Sequence, residues 1–285
     1  MIAAHPRTHY FSEPFNPTKR TCGAKFPLWY MYVTEEKAAY YRTHILRMLS
    51  YRYGLGRDLR STHSPKSVKR TASNVLRRHR NRNLNLIPVV KDPISFFSAE
   101  WLAETFGMDV VVLVRHPAAF AASVMRLKWG CPFGDLAKQP ELIEHFLQPF
   151  ADEIHEFAKC SKSLVEQAAL FWKLVYYTAS QYEKAHNEWM FVRHEDVANA
   201  PVARFGEIYR TLGLEYSDDV QALIHEYTAP SNPVQAADGD SRFGKRDSKG
   251  AVKNWQRQLS RAEVDFIRRE TEDVSHMFYS DGDWE

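Results

Sequence analysis

Residues 109–123 constrain the fold more than any other part of the chain, and their sequence is DVVVLVRHPAAFAAS. Residues 110–114 are apolar and four of them are valine, which predicts a strand buried on both faces, as in a parallel sheet. Pro117 then occupies a favourable first helical position, and helix formers follow it. We therefore expect Arg115 at the carboxyl end of a buried strand, beside a helix N-terminus that suits a phosphate group. Ser123 lies on the same helix and adds a hydroxyl donor.

Arg115, Pro117 and Ser123 resemble a signature of the sulfotransferase family. In that family a strand, an Arg-x-Pro turn and a helical Ser about eight residues after the Arg bind the 3′-phosphate of 3′-phosphoadenosine 5′-phosphosulfate (PAPS). The central residue of the turn is commonly Asp there and is His116 here, which leaves the phosphate-binding Arg and Ser in place. Taken alone, the pattern is equally typical of a plain strand-to-helix turn with a surface Arg.

Four further segments resemble the family in the same order along the chain. They are SEPFNP at 12–17, KDPISFFS at 91–98, RHEDV at 193–197 and SKGAVKNWQRQLS at 248–260. The resemblance implies an enzyme, a PAPS-dependent sulfotransferase with PAPS as its co-substrate. The acceptor would be a hydroxyl or amine on a carbohydrate or a small molecule, and the reaction needs no metal.

The order of the predicted elements favours an α/β fold. The sequence LNLIPVV at 84–90 predicts a second buried strand, and Ser98 and Gly107 bracket a short helix that precedes the strand before Arg115. Strands that alternate with helices predict a parallel sheet with crossover helices. The resemblance makes this a parallel sheet of the P-loop NTPase-like type, flanked by helices. We expect one sulfotransferase-like domain over residues 1–285, with 57–82 as a basic helical or loop insertion.

The resemblance also predicts what this sequence lacks. The family binds the 5′-phosphosulfate with a loop rich in Gly, Ser and Thr after its first strand, and that loop is related to the P-loop. No glycine precedes Gly23, and no G-x-x-x-x-G-K-[ST] motif occurs. HPRTHYFSEPFNP, at 5–17, already looks like the second strand and its exit. We therefore expect the first strand and the phosphosulfate loop to be missing, through a misplaced start, a truncation or a degenerate member; the misplaced start is favoured.

Glu13, Lys91 and Asp92 are the candidate catalytic residues. Sulfuryl transfer needs a base within hydrogen-bond reach of the acceptor and cations where negative charge develops. The resemblance implies that Glu13 is the base; the alternative is a solvated Glu in the turn before Pro14. Lys91 follows an apolar strand, where α/β sheets bind ligands, and is expected to stabilise the transferring oxygens. Asp92 is expected to orient Lys91 or to act as an alternative base, and a plain surface ion pair is equally compatible with the pair.

Arg246, Lys249 and Gly250 are further candidates for cofactor binding. The resemblance implies that Lys249 and Gly250 close over the 3′-phosphate, the glycine allowing close approach of the backbone. Arg246 would replace the family's Arg, although Asp247 and Ser248 interrupt the usual Arg-Lys-Gly order.

Several residues in or near these motifs favour structural roles instead. We expect Trp255 to anchor its loop in the core, and His116 to be a helix cap or a solvated histidine. Glu195 and Asp196 are expected to cap the turn that follows them. A capping box of Ser260 and Glu263 predicts that the last helix begins at Arg261.

The composition is that of an ordinary globular protein, with 44% hydrophobic and 26% charged residues and a net charge of +3. The weak positive charge fits an anionic ligand. Cys22, Cys131 and Cys160 form no metal-ligand spacing, so no metal site is expected, and their small number favours the reducing cytoplasm. No run of 18 apolar residues occurs, so no membrane span is expected.

Residues 57–82 hold nine Lys or Arg against one acid, Asp58. Such a tract attracts an acidic acceptor, such as a polyanionic glycan or a lipid headgroup, or binds nucleic acid nonspecifically. A solvated helix face is an equally typical interpretation. Two rivals to the enzyme therefore stay open: a noncatalytic protein that binds 3′-phosphoadenosine 5′-phosphate (PAP) or another polyanion, and a nucleic-acid-binding protein that uses this tract. No specific nucleic acid is expected as a partner.

Overall fold

The computed structural model describes residues 1–19, 21–52, 64–235 and 244–285. The chain divides into an N-terminal unit, Ile2–Met108 with Asp135–His145, and a C-terminal unit, Met1 with Asp109–Gly134 and Phe146–Glu285. The described residues are mostly helical and contain two small parallel sheets of two strands each. The expected mixed α/β class is confirmed at this level, and a single domain over the whole chain stays a prediction.

The N-terminal unit contains strands β1 (Thr8–Ser12) and β2 (Ile87–Lys91), which pair in parallel from Thr8 opposite Ile87 to Ser12 opposite Lys91. Its helices are α1 (Glu35–Leu49), α2 (Pro65–Asn83) and α3 (Ala99–Phe106). Shorter helical segments are Ile2–Ala4, Pro93–Ser98, Pro140–Leu142 and the start of the π-helical turn Ile143–Leu147.

Two predictions for this unit need correction. The strand predicted at 84–90 begins only at Ile87 and is half-buried with exposed ends, because Leu84 still serves as the C-terminal cap of α2. Ser98 precedes α3 as predicted but does not cap it with its side chain. Its hydroxyl donates to the Met31 carbonyl at 2.8 Å and accepts from the Val33 N–H at 2.9 Å, so it holds an extended segment instead. Gly107 ends α3 with a φ of +60°, as predicted.

The C-terminal unit contains β3 (Val111–Val114) and β4 (Met190–Arg193), which are parallel with Val111 opposite Met190. Its longer helices are α4 (Pro117–Leu127), α5 (Ala151–Lys159), α6 (Leu164–Ala185), α7 (His194–Asn199), α8 (Pro201–Thr211) and α9 (Asp218–Thr228). The carboxyl-terminal helices are α10 (Ser248–Ala251), α11 (Trp255–Gln258) and α12 (Arg261–Ser275). Short helical turns are Phe133–Leu136, at the unit boundary, Gln148–Phe150 and Asp281–Trp284.

Strand β3 is buried on one face only, which corrects the prediction of two buried faces. Val112 and Val114 are buried, whereas Leu113 is 49% exposed. Successive side chains of a strand point to opposite faces, so one face of this sheet is packed and the other is open.

Helix α6 is the centre of the C-terminal core, and α4 and α12 pack against it. Small side chains of α4, including Ala118 and Ala122, are buried with Ile267 of α12 in one hydrophobic cluster. Trp255 belongs to the same cluster, which confirms its predicted role as an anchor. Ser260 and Glu263 form the predicted capping box, so α12 begins at Arg261.

Two side chains of α6, one turn apart, bind the main chain at the carboxyl end of β3. The Tyr176 hydroxyl donates to the Leu113 carbonyl at 3.3 Å and accepts from the Arg115 N–H at 3.1 Å. The Trp172 indole donates to the Arg115 carbonyl at 2.7 Å. Both side chains are buried, so these bonds are made where water does not compete with them.

Replacing Tyr176 by Phe is expected to lower the free energy of unfolding by about 1–3 kcal/mol, because the Arg115 N–H loses its partner in a buried place. Tyr177→Phe is the matched control: that ring packs on Phe150, and its hydroxyl makes no hydrogen bond among the described residues. Urea denaturation of the three proteins measures the difference. Equal losses in both variants would show that the Tyr176 hydroxyl does not hold the strand end.

Candidate functional site

A cavity of about 190 Å³ opens beside Arg115 in the C-terminal unit. Its polar lining consists of three arginines, one hydroxyl and three amide side chains: Arg115, Arg126, Arg246, Ser123, Gln235, Asn254 and Gln258. The rest of the lining is Ala119, Ala122, Val234, Ala251 and Trp255. Among the described residues that line this arginine pocket there is no carboxylate, so its electrostatic preference is for an anion.

Arg115 reaches the arginine pocket from the end of β3. Its backbone is fully engaged by Trp172 and Tyr176, while its Nε atom is buried and has no hydrogen-bond partner among the described residues. Burial lowers the pKa of Arg115 from its usual value, but an arginine remains charged in proteins. A buried guanidinium nitrogen without a partner is costly, so an acceptor oxygen at this place would relieve the cost.

Ser123 and Arg126 reach the same pocket from α4. Ala119, Ala122, Ser123 and Arg126 follow the helical spacing of one face, and the two alanines leave space between that face and the loop before α10. The Ser123 hydroxyl donates to the Ala119 carbonyl at 3.2 Å, a bond that rotation of the hydroxyl would exchange for a ligand oxygen. Sequence reasoning missed Arg126, although its position three residues after Ser123 is a signal that was available.

Arg246 joins the arginine pocket from the loop before α10. Its N–H donates to the Tyr227 carbonyl at 2.9 Å, which fixes the loop against the end of α9. Lys249 and Gly250, in contrast, are exposed at α10 and do not line the pocket. The Gly250 N–H donates to the Asp247 carboxylate at 2.9 Å, and a Cβ at Gly250 would overlap that carboxylate. Glycine is needed there for the Asp247 cap, and a phosphate role for both residues stays a prediction.

His116 is the N-terminal cap of α4, which confirms the interpretation of this histidine as a helix cap. Its Nδ1 atom accepts the Ala118 N–H at 3.3 Å, so the ring proton lies on Nε2. The ring stacks on Trp255, with centroids 5.1 Å apart. Burial lowers the pKa of His116 to about 3, so this histidine is neutral at physiological pH.

Glu195 corrects the expectation that it caps its own turn. It is buried, and its two carboxylate oxygens accept from the His116 N–H at 3.0 Å and from the Tyr279 hydroxyl at 2.8 Å. Asp196 lies 3.9 Å from the Arg193 guanidinium and makes no cap either. Glu195 therefore joins the start of α4 to the carboxyl-terminal segment, a role that its place in the sequence did not indicate.

Glu13, Lys91 and Asp92 lie together in the N-terminal unit, where β1 and β2 end. The Glu13 N–H donates to the Lys91 carbonyl at 3.0 Å, which extends the pairing of the two strands by one residue. Glu13 has a φ of +48°, a conformation that costs a non-glycine residue about 1–3 kcal/mol and occurs preferentially at functional sites.

The Glu13 carboxylate is surrounded by donors. Oε2 accepts from Lys19 Nζ at 2.9 Å and from Asn16 Nδ2 at 3.0 Å, and Oε1 lies 3.4 Å from Lys91 Nζ. Burial disfavours the charged form, but these hydrogen bonds and the lysine charges outweigh it, and they lower the pKa of Glu13. The group is ionised at neutral pH and remains partly accessible to a ligand.

Asp92 differs from Glu13 in what its oxygens do. Oδ2 accepts from the Phe15 N–H at 2.7 Å, and Oδ1 accepts from the Ile94 N–H at 3.0 Å. Burial, with the added charge of Glu13, raises the pKa of Asp92 to about 6 despite these two backbone bonds. Both oxygens hold loops, which favours a positioning role for Asp92 over that of a base.

The structure thus brings together the predicted catalytic residues in one unit and three of the five predicted cofactor-binding residues in the other. Arg115, Ser123 and Arg246 share one pocket, and Glu13, Lys91 and Asp92 share one strand-end cluster. Within the described residues, no three His, Cys, Asp or Glu side chains are grouped so that they would hold a metal ion. No helix of the described chain is long and apolar enough to cross a membrane.

The chain is similar to carbohydrate sulfotransferase 1 of Danio rerio, with 35% identity over 81 residues. The matched segment is 28% of this chain and 19% of the relative, so the match spans about a fifth of that protein's length. No family model and no solved structure matches the chain. The similarity is therefore distant and covers a short segment of both chains.

The raised pKa of Asp92 predicts a definite pH dependence of stability. Between about pH 4 and pH 6 the unfolded carboxyl ionises while the folded one stays protonated, so rising pH favours unfolding. The free energy of unfolding of the native protein, relative to Asp92→Asn, is expected to fall by about 2 kcal/mol from about pH 4 to about pH 7.

Urea denaturation at a series of pH values measures this difference. Glu13→Gln serves as the control, because the opposite pH dependence of stability is expected for it. A lowered carboxyl pKa stabilises the folded state above the unfolded pKa, and this contribution is lost as pH falls. The native protein is therefore expected to gain stability relative to Glu13→Gln over the same range. A pH-independent difference between the native protein and Asp92→Asn would contradict the assignment of a raised pKa to Asp92.

Proposed function

We propose that this protein is a PAPS-dependent sulfotransferase that transfers a sulfuryl group to a carbohydrate hydroxyl, on an α/β fold of the P-loop-like type. The single observation that carries the proposal is the arginine pocket at the carboxyl end of β3. The similarity to a carbohydrate sulfotransferase supports the same reaction class and favours a carbohydrate over another small-molecule acceptor.

The residues of the arginine pocket fit the 3′-phosphate of PAPS. A phosphate offers several acceptor oxygens and up to two negative charges, and guanidinium groups bind it through paired, charge-assisted hydrogen bonds. The partnerless Arg115 Nε supplies one donor that the protein itself leaves unsatisfied. Ser123 adds a neutral donor, so the pocket binds by position as well as by charge.

PAPS supplies an activated sulfuryl group that is bonded to a phosphate leaving group. Glu13 would accept the proton of the acceptor hydroxyl while the new oxygen–sulfur bond forms and the sulfur–oxygen bond to phosphate breaks. Lys91 would stabilise the negative charge on the transferring oxygens. Its Nζ lies 3.4 Å from Glu13 Oε1, so the proposed base and the proposed charge stabiliser are in direct contact.

Asp92 would act through the loops that it holds. Its carboxylate fixes the Phe15 N–H on the exit from β1 and the Ile94 N–H after β2, and these two segments carry Glu13 and Lys91. Phe15 is itself stacked on Phe26, with ring centroids 4.0 Å apart, so the Glu13 turn is held from its apolar side as well.

Replacing Arg115 by Ala is expected to weaken PAP binding by about 2–4 kcal/mol, which is about 30-fold to 1000-fold, because a charge-assisted contact in a half-buried place is lost. Ser123→Ala should cost less, about 0.5–1.5 kcal/mol, because a neutral donor is removed. Isothermal calorimetry with PAP measures both. Arg257→Ala, an exposed arginine of α11 outside the pocket lining, is the control and should bind as the native protein does. Equal affinity of the native protein and Arg115→Ala would refute the phosphate assignment.

Replacing Glu13 by Gln is expected to lower kcat by about 100-fold to 10000-fold, the usual contribution of a general base, with PAP affinity unchanged. Transfer of labelled sulfate from PAPS to a panel of saccharides measures turnover. Lys19→Met is the matched control, since it removes a neighbour of Glu13 but not the base. If Glu13→Gln retains turnover while Asp92→Asn abolishes it, Asp92 is the base. Tight PAP binding without transfer to any acceptor would favour the noncatalytic rival instead.

A further inference from the structure

The placement of polar and apolar side chains on helix α2 is the reverse of that on an ordinary surface helix. Its buried side chains are polar, namely Thr71, Arg78 and Asn81, and Asn81 Nδ2 lies 3.1 Å from His9 Nδ1 of β1. Its apolar side chains face outward: Leu76 is 69% exposed and Val68 is 51% exposed. A helix that only packs on its own domain places its apolar stripe inward, so the outward stripe of α2 needs another explanation.

The exposed surface of α2 is also strongly basic. The helix carries seven Lys or Arg and no acid. Six of the seven are exposed: Lys66, Lys69, Arg70, Arg77, Arg80 and Arg82. Any partner of this surface is therefore expected to be acidic.

Three of the six exposed cations border the exposed apolar residues of α2. Val68, Val75 and Leu76 follow helical spacing, so they form one stripe over residues 68–76, and the exposed His79 and Asn83 continue the same face. Lys69 and Arg80 border this stripe on one side, and the helical spacing places Arg82 on the other. Leu84, the residue that follows the helix, is exposed as well.

We propose that α2 is a docking surface for an anionic lipid bilayer, on which the helix lies parallel to the membrane plane. A bilayer surface satisfies both features, since its headgroups bind the cations and its acyl boundary takes up Val68 and Leu76. A soluble polyanion would bind the cations but leave the apolar stripe in water. Nucleic acid fits less well for the same reason, because its phosphates would bind the cations and leave the apolar stripe in water. This surface is independent of the proposed sulfuryl transfer.

Vesicle sedimentation with the full chain tests the proposal, using vesicles of phosphatidylcholine alone and of phosphatidylcholine mixed with phosphatidylserine. The native protein is expected to bind the mixed vesicles and to bind the neutral vesicles weakly. Each cation near an anionic surface strengthens binding about fivefold, so the charge-reversing pair Lys69→Glu and Arg80→Glu should weaken binding by more than about 25-fold. The control pair Lys159→Glu and Lys184→Glu changes two exposed cations of other helices and should have a smaller effect.

The apolar pair Val68→Ser and Leu76→Ser separates a bilayer from a soluble polyanion. It is expected to weaken vesicle binding about tenfold, because two side chains lose their apolar contact, while retention on a sulfated polysaccharide stays unchanged. Met277→Ser, a residue 48% exposed in α12's C-terminal flank, is the control for loss of an exposed apolar group. Because all these positions are exposed, thermal unfolding should be close to that of the native protein in every variant.

Three outcomes would overturn the proposal. The first is no binding of the native protein to the mixed vesicles. The second is vesicle binding that the apolar pair leaves unchanged, which would assign α2 to a soluble acidic glycan. The third is tighter binding to duplex DNA than to the vesicles, with a steep dependence on salt, which would assign it to nucleic acid.

Discussion

The arginine pocket depends on how α6 satisfies the main chain where β3 ends. A strand end inside a protein exposes an N–H and a carbonyl that need partners. Here Tyr176 and Trp172, four residues apart on one helix, supply them at Arg115, so no side chain near the pocket has to turn inward for this purpose. The guanidinium of Arg115 is therefore available to the pocket. Because Trp172 and Tyr176 are buried, they fix the position of the main chain from which the Arg115 side chain extends.

A second set of contacts keeps acidic groups away from the same pocket. Glu195 is the buried carboxylate nearest to the start of α4, and its two oxygens are used by the His116 N–H and the Tyr279 hydroxyl. His116 is neutral, so the helix start carries no additional titrating charge. Asp283, from the carboxyl-terminal turn, is paired with Arg193. The arginine pocket thus remains positive although carboxylates are close to it in the sequence and the structure.

The sequence predicted those features that depend on local pattern. The β3–Pro117–α4 unit, the α12 capping box, the Gly107 stop and the Trp255 anchor each follow from a few neighbouring residues, and the structure contains them. What escaped prediction depends on contacts between distant segments. The roles of Glu195 and Ser98 are fixed by partners more than 60 residues away. The exposure of Leu113 and the half-burial of β2 were missed for the same reason. An apolar run predicts a strand but does not reveal whether other elements cover one face of that strand or both.

The two carboxylates at the ends of β1 and β2 show how environment separates adjacent groups of the same chemistry. Glu13 faces Lys19, Asn16 and Lys91, which favour its charged form, whereas Asp92 is turned toward backbone N–H groups in a more buried place. The pKa values consequently move in opposite directions, a division that in enzymes often accompanies different roles for paired acids. A pKa near neutrality alone would favour Asp92 as the base. Geometry favours Glu13 instead, because Asp92 lies in a more buried place and its oxygens accept from the main-chain N–H groups of Phe15 and Ile94, which hold two loops. The Glu13 oxygens accept instead from the side chains of Lys19, Asn16 and Lys91, and an incoming acceptor and sulfuryl group would compete for these donors.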